Sequence, residues 1–396
     1  MATSITFFKV CNGDMTLIKL GDVERTTLLI DINIRSDADD VNGDKPDVAR
    51  QLRERIYEDG NGRPYVDAFL LSHPDADHIR GLEKHFYLGP LSDYPDDDKP
   101  QKEKRIVIRE MWSSPIVFRR RTENHGLCAD ARAWATEARR RVKCNRENNF
   151  AVGDGDRIQV LGKDINDKTK GLEAICREVE STFSTINGKH SRWFEAKLLG
   201  PFEPQCNADE EALLAKNESS VIINFMLAAD ANNPDGAKFL SGGDAEVYIW
   251  GKQWERHSHE SEVLEYDLLQ APHHCSWHSL SYDSWSEKKE KAVVDGNAKN
   301  ALSQARLGAT IFASSKPILD DDNDPPCIRA KREYEAIVSG VNGKFLCAGE
   351  HPSKNDEAPI EFTVGFGGIT ETPRKSIARL AGGGFASAAA TPISHG

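Results

Sequence analysis

One short segment constrains this chain more than any other, because it joins an apolar run to a dense group of metal-seeking side chains. Residues 66–71 are largely apolar and predict a buried strand that ends near Ser72. Two histidines and two aspartates follow within six residues: His73, Asp75, Asp77 and His78. Such side chains repel and desolvate one another unless a cation compensates them. We therefore expect a metal site just past this strand, the alternative being a polar capping loop.

Two later segments repeat the arrangement of an apolar strand that ends in residues able to bind a metal. Residues 240–244 place Asp244 after two glycines, which permit close approach of the backbone. Residues 268–274 deliver the pair His273 and His274 in the same way. Taken singly, the first is a common turn and the second could serve the surface or the core. Together with residues 73–78, they favour a centre with two metal ions.

The remaining pattern predicts a mixed α/β fold. Residues 5–20 contain two apolar runs around Asn12-Gly13-Asp14, which indicates a hairpin. We predict further strands near 157–161, 220–225 and 309–313, and helices at 128–142 and 328–338. The 396 residues are enough for one large domain or two ordinary ones. We expect one domain over 1–371 with a divergent insertion at about 87–217, and an Ala/Gly-rich tail over 372–396.

Composition excludes several classes of protein. The sequence has no run of about 18 to 20 apolar residues and no secretory signal pattern, so we expect a cytoplasmic protein without a membrane span. The eight cysteines form no C-x-x-C pair, which favours reduced thiols. A net charge of -12 argues against a surface that binds nucleic acid throughout. The arginine runs 119–121 and 139–141 could form a local basic groove, or a solvated charged face.

The motif Ser72 to His78 resembles the H-x-[HD]-x-D-H signature of the metallo-β-lactamase superfamily. The variant with Asp at the third place is similar to the hydrolase domain of competence DNA-uptake proteins (ComEC type) and its soluble relatives. Further motifs of that family have counterparts in the same order: Asn12-Gly13-Asp14, Asp31, Asn217-Glu218-Ser219-Ser220-Val221, Gly243-Asp244 and Pro272-His273-His274-Cys275-Ser276. The resemblance spans roughly residues 5 to 320 and implies an αββα sandwich, with two mixed β-sheets and helices on the outer faces.

The resemblance also implies roles for individual residues. It implies that His73 and Asp75 bind a first metal and that Asp77 and His78 bind a second. Asp244 would bridge the two ions, His274 would be the final metal histidine, and Asp31 would orient a ligand by hydrogen bonding. Zinc or manganese would suit this mixture of histidines and aspartates.

The chain departs from the family pattern at two places. Many members provide another metal histidine in the middle of the chain, where this sequence has only His85, His125 and His190, none of them in a matching motif. His125 is a weak candidate, so the first metal could be loosely held or absent. Cys275 stands where the family has a glycine, and it could add a thiolate near the metal or only alter the turn.

The expected activity follows from such a centre. A metal-bound hydroxide would attack phosphorus, with Asp77 orienting the nucleophile and His273 or His278 donating a proton to the leaving oxygen. The resemblance favours a phosphodiesterase acting on DNA. Two alternatives stay open: a hydrolase of a small phosphoester, cyclic nucleotide or lactone, and an interaction subunit of a larger, defence-type assembly with a degenerate metal site. A protein partner or a homo-oligomer also stays open.

Overall fold

The structure, a computed structural model, describes residues 2–38, 45–124, 126–205, 207–214, 216–234 and 236–373. His125 and residues 374–396 lie outside the described residues, as do the predictions that concern them. In the part of the chain that is described, no helix is both long and apolar enough to cross a membrane.

The described residues form short strands and helices that alternate along the chain. The strands are β1 (Ser4–Phe7), β2 (Thr16–Lys19), β3 (Thr27–Ile30), β4 (Ile32–Asn33), β5 (Tyr57–Glu58), β6 (Pro64–Leu70), β7 (Phe86–Tyr87), β8 (Ile106–Ser113), β9 (Arg157–Leu161), β10 (Cys176–Arg177), β11 (Thr182–Phe183), β12 (Thr185–Ile186), β13 (Lys189–His190), β14 (Phe194–Gly200), β15 (Ile222–Leu227), β16 (Ala237–Ser241), β17 (Tyr266–Gln270), β18 (Ala305–Ala313), β19 (Lys344–Cys347), β20 (Ile360–Gly365) and β21 (Gly368–Glu371). The α-helices are α1 (Val48–Arg53), α2 (Ala76–Ile79), α3 (Leu82–His85), α4 (Pro115–Asn124), α5 (Ala129–Glu147), α6 (Ala208–Leu213), α7 (Val247–His257), α8 (Trp285–Lys288), α9 (Gly296–Leu302) and α10 (Ile328–Ser339).

Two large mixed sheets organise the described chain. The first runs β10-β9-β8-β6-β3-β2-β1-β20-β21, and its strands from β3 to β10 are parallel. The second runs β11-β14-β15-β16-β17-β18-β19 and is parallel from β16 to β19. The predicted hairpin is confirmed, since β1 and β2 pair antiparallel with Ile5 opposite Ile18. A mixed α/β fold is therefore present, as expected.

Each sheet contributes to two apolar clusters, as its alternating side chains require. One cluster contains residues of both sheets, and in it Phe7 stacks on Phe312 with ring centroids 4.1 Å apart. A second cluster joins the first sheet to α5 through the buried Trp134. A third joins the second sheet to α7 and α10 through Trp250 and Tyr334.

The segment 87–217, which we predict to be a divergent insertion, supplies strands to both sheets. It contributes β8 and β9 to the first sheet and β14 to the second. Strand β8 lies directly beside β6, the strand that leads to residues 73–78. Helix α4, which follows β8, is thereby brought towards the histidine-rich loop.

Candidate metal centre

Three connections that follow strands supply the side chains of the site. Asp77 and His78 lie on the short helix α2, soon after β6. Asp244 follows β16, and His274 lies in the turn Pro272–Cys275 after β17. The two sheets meet at this place. Val221, just before β15, donates its amide hydrogen bond to the carbonyl of Ser72, just after β6, at 3.0 Å. Loops at strand ends therefore converge from both sheets, as is common in α/β proteins.

Four side chains form a compact group with the composition of a metal site. Asp77, His78, Asp244 and His274 each offer a ligand atom, and these atoms all lie within 4.8 Å of one another. His78 Nε2 is 2.9 Å from Asp244 Oδ1. His274 Nε2 is 3.4 Å from Asp77 Oδ2 and 3.5 Å from Asp244 Oδ1. The structure thus brings together four of the six metal ligands predicted from the sequence.

Two further carboxylates lie beside the Nδ1 atoms of these histidines. Asp31 Oδ2 lies 2.8 Å from His78 Nδ1, and Asp14 Oδ1 lies 3.3 Å from His274 Nδ1. Asp31 also accepts hydrogen bonds from the Ser72 amide and hydroxyl. A carboxylate on Nδ1 leaves Nε2 to face the centre of the group, which is the usual arrangement of metal-binding histidines. Asp31 therefore contacts His78, one of the metal ligands that the resemblance implies.

The backbone at the site adopts conformations that bring these groups close together. Asp31, His273 and His274 have positive φ values of 53°, 49° and 53°, a region that non-glycine residues seldom adopt. Gly13 has φ 143°, and a Cβ atom there would lie 2.7 Å from the Asp77 carbonyl oxygen. Gly243 has φ 50°, and its Cβ would lie 2.9 Å from Ser72 Oγ. Close approach of the loops explains why glycine occupies both positions.

The electrostatics of the group favour a bound cation. Burial opposes protonation of His274, but Asp244 and Asp14 outweigh it and raise its pKa to about 10. Burial likewise opposes protonation of His78, yet Asp244 and Asp31 raise its pKa well above the ordinary value. Burial opposes ionisation of Asp244, but the neighbouring histidines hold its pKa well below the ordinary value. The carboxylates therefore demand positive charge, which protons supply when no metal is bound.

Unpaired buried atoms provide a second test of fit. His78 Nε2, His274 Nε2 and Asp244 Oδ1 are buried without a hydrogen bond of acceptable geometry among the described residues. Buried polar atoms normally have partners, because an unpaired one is costly. A metal ion bound by these same atoms would satisfy all three. The residues present thus fit a divalent ion.

The structure leaves two predicted ligands, His73 and Asp75, outside the four-residue group. His73 Nε2 lies 3.2 Å from Asp75 Oδ2. The His73 ring is fully buried, and neither of its nitrogens has a hydrogen bond of acceptable geometry among the described residues. Asp75 Oδ1 instead accepts from Arg121 Nε at 2.5 Å. Burial opposes ionisation of Asp75, but His73 and Arg121 lower its pKa strongly.

The two predicted proton donors lie in different surroundings. His273 Nε2 is 3.9 Å from Asp244 Oδ2, and its Nδ1 is 3.3 Å from Glu246 Oε1. His278 is 42% exposed and has its Nε2 3.8 Å from Asp324 Oδ2. The structure thus places His273 beside the four-residue group and pairs His278 with a carboxylate of another loop. Their catalytic roles stay predictions.

Sequence reasoning missed three residues around the site. Asp14 was recognised only as part of a turn motif, although the turn brings its carboxylate to His274. Glu246, two positions after Asp244, contacts His273. Arg121 belongs to one of the arginine runs and contacts Asp75. The sequence could have indicated Asp14, because it belongs to a glycine turn, and Glu246, because it lies close to Asp244 in the chain. No local feature of the sequence distinguished Arg121.

Cys275 lies within the apolar cluster of the second sheet and is fully buried. Burial raises the pKa of its thiol well above the ordinary value. Its φ of 69° falls in the region that favours glycine. Cys275 thus adopts a backbone conformation that favours glycine, and it is absent from the metal-binding groups of the described residues.

The arginine runs form a solvated charged face only in part, since Arg139 is exposed but other members are buried. Arg120 and Arg141 are each only 1% exposed. Arg120 pairs with Glu211, and Arg141 pairs with Glu137. These two guanidinium groups therefore form internal ion pairs. The partner of Arg120 comes from another segment of the chain, and the partner of Arg141 lies on the same helix.

No protein-family model matches this chain, and no curated protein matches it. Its function is therefore inferred from the motifs and from the geometry of the site.

Proposed function

We propose that this protein is a metal-dependent hydrolase of phosphodiesters, with DNA as its foremost substrate class. The observation that carries the proposal is the group Asp77, His78, Asp244 and His274, whose ligand atoms lie within 4.8 Å of one another. Two imidazoles with two carboxylates suit zinc or manganese. The DNA substrate is supported by the resemblance of residues 72–78 to competence-type hydrolases.

We propose further that the fold is the αββα sandwich of the metallo-β-lactamase superfamily. Two mixed sheets that share one apolar cluster, each with a further cluster that includes helices, support this arrangement. The order of the site-bearing segments along the chain agrees with it. Residues 73–78 come first, then Asp244, and then the pair His273 and His274.

The residues of the chain would divide the work between binding and proton transfer. His78 and His274 would hold the ion through Nε2, while Asp31 and Asp14 keep both rings oriented. When bound, a divalent ion lowers the pKa of a water molecule towards about 7 and stabilises developing negative charge. Asp77 is 36% exposed, whereas His274 and Asp244 are buried, so substrate would approach from the side of Asp77.

His273 is the better placed of the two predicted proton donors. Its Nδ1 faces Glu246, so a hydrogen bond there would direct Nε2 towards the reacting group. Asn217 Nδ2 donates to Glu246 Oε1 at 2.8 Å and holds that carboxylate in place. Glu246 would therefore act as a positioning residue for His273.

The test is an assay of the purified protein with added manganese or zinc. Single-stranded DNA, double-stranded DNA, RNA and a chromogenic phosphodiester should be compared as substrates. We expect DNA hydrolysis that falls at least about 100-fold in Asp244→Asn, because a ligand and its charge are lost. Asp209→Asn, a substitution on the exposed helix α6, is the control and should keep full activity. Absence of hydrolysis with every substrate and ion would overturn the proposal.

A further inference from the structure

Arg121 forms a contact at the predicted first metal position that the proposed hydrolase mechanism does not use. Its helix, α4, brings the guanidinium to Asp75, with Nε 2.5 Å from Oδ1. The other oxygen of Asp75 faces His73 at 3.2 Å. The Arg121 side chain is 16% exposed and that of Asp75 is 29% exposed. The contact is thus mostly shielded from water. Charges in such a place interact more strongly than they do in bulk water.

This contact balances the charge at His73 and Asp75. One carboxylate faces one permanently charged guanidinium, since arginine remains protonated in proteins. A divalent ion bound to His73 and Asp75 would lie close to the guanidinium and be repelled by it. It would have to bind Asp75 through Oδ2, because Arg121 holds Oδ1. Binding of an ion here is therefore opposed by the charge of Arg121.

The four-residue group has the opposite balance. Asp77 and Asp244 lie inside it, and Asp14 and Asp31 stand directly behind its histidines. Among the described residues, these four carboxylates form ion pairs with histidines and with no lysine or arginine. The compensating charge must therefore come from protons or from a metal ion.

We infer that the centre holds a single divalent ion, bound by Asp77, His78, Asp244 and His274. The guanidinium of Arg121 takes the place of a second ion beside His73 and Asp75. The inference rests on the proposed metal-dependent function and deepens it. In this scheme, the centre contains one metal ion and the guanidinium of Arg121 in place of two metal ions. The middle segment of the chain, which has no matching histidine motif, thus contributes Arg121 where many family members have a metal-binding histidine.

The test is to count the bound ions. Manganese titrated into the metal-free protein, followed by the electron paramagnetic resonance signal of free Mn²⁺, should show one ion per chain. His73→Gln should keep one ion and change its dissociation constant by less than about threefold, since His73 is no ligand in this scheme. Two ions in the wild-type protein, or loss of an ion in His73→Gln, would overturn the inference.

The role of Arg121 needs its own variant. Arg121→Gln removes the guanidinium and should allow a second, weaker ion to bind at millimolar manganese. The double variant Arg121→Gln/His73→Gln should return to one ion. Arg119→Gln alters a neighbouring arginine on the same helix, which pairs with Asp164 and Glu211, and should leave one ion bound. A single ion in Arg121→Gln at every concentration would overturn the role assigned to the guanidinium.

The failure of this inference can be told apart from failure of the proposed function. One bound ion without hydrolysis of any substrate overturns the hydrolase and leaves the single-ion centre. Two bound ions with DNA hydrolysis overturn the single-ion centre and leave the hydrolase. No bound ion overturns both.

Discussion

The substitution Asp31→Asn tests whether a buried carboxylate prepares His78 for metal binding. Asp31 is fully buried, and its Oδ2 lies 2.8 Å from His78 Nδ1. Its Oδ1 accepts from the Ser72 amide at 2.7 Å. Asparagine has the same shape and can keep the bond to Ser72. Its NH₂ group would then face His78 Nδ1 and act as a donor.

We expect Asp31→Asn to weaken metal binding because it changes the favoured tautomer of His78. The carboxylate accepts a hydrogen bond from Nδ1–H, so the neutral ring that binds the ion carries its lone pair on Nε2. An amide donor would favour the tautomer with the proton on Nε2, which must be lost before metal binds. Removal of such an orienting partner typically weakens metal affinity about 10- to 100-fold. This corresponds to about 1.4 to 2.8 kcal/mol of binding free energy.

Isothermal titration calorimetry with zinc or manganese gives the affinity directly. The matched control is Asp67→Asn, which changes another buried carboxylate, on β6. Asp67 accepts from the Thr27 amide and from Arg109, away from the histidines. We expect its metal affinity to stay within about twofold of wild type, because it contacts no ligand.

A folded Asp31→Asn protein with wild-type metal affinity would refute the reasoning. Circular dichroism and thermal unfolding should confirm that the variant is folded. If Asp31→Asn does not fold, Asp14→Asn tests the same argument at His274, whose Nδ1 lies 3.3 Å from Asp14 Oδ1. Unchanged affinity there would refute the role of carboxylates in orienting these histidines.

Two further predictions concern the stability of the scaffold. Gly13→Ala should cost about 2 kcal/mol in urea unfolding through backbone strain, because its Cβ would lie 2.7 Å from the Asp77 carbonyl oxygen; a cost below the error of the measurement would contradict this. Burial opposes ionisation of Glu211, but Arg120 lowers its pKa from 4.5 to about 2. Its ionised form therefore stabilises the protein at neutral pH, and this contribution is lost as pH falls from 4.5 towards 2. Glu211→Gln should cost about 2 kcal/mol at pH 7, and less at acidic pH; a constant difference across pH would contradict the ion pair.

Local sequence patterns were enough to predict much of the secondary structure and the centre of the site. The hairpin of β1 and β2 follows from alternating apolar residues around a glycine turn, and strand β9 (Arg157–Leu161) matches its predicted span. Such features depend on neighbours in the sequence, so periodicity reveals them. Residues 73–78 predict a cation site for the same reason, since their histidines and aspartates are close together in the sequence.

Pairings between distant segments could not be predicted in this way. Strands β20 and β21 return to the first sheet beside β1, about 350 residues earlier in the chain. Helix α5 (Ala129–Glu147) runs beyond its predicted end at 142, where the buried Asn145 donates to the distant Asp156 carbonyl at 2.9 Å. The segment 87–217 has a less regular sequence pattern, although it contributes β8 and β9 to the first sheet.

The sequence by itself determined that a loop rich in histidine and aspartate follows a buried strand, and it identified Asp77, His78, Asp244 and His274 as members of the candidate site. Only the tertiary structure decided which of the predicted ligands share one centre. It placed Asp14 behind His274 and brought Arg121 to Asp75. The reason is physical: the charge balance of a buried group depends on every segment packed against it, and those segments are distant in the chain.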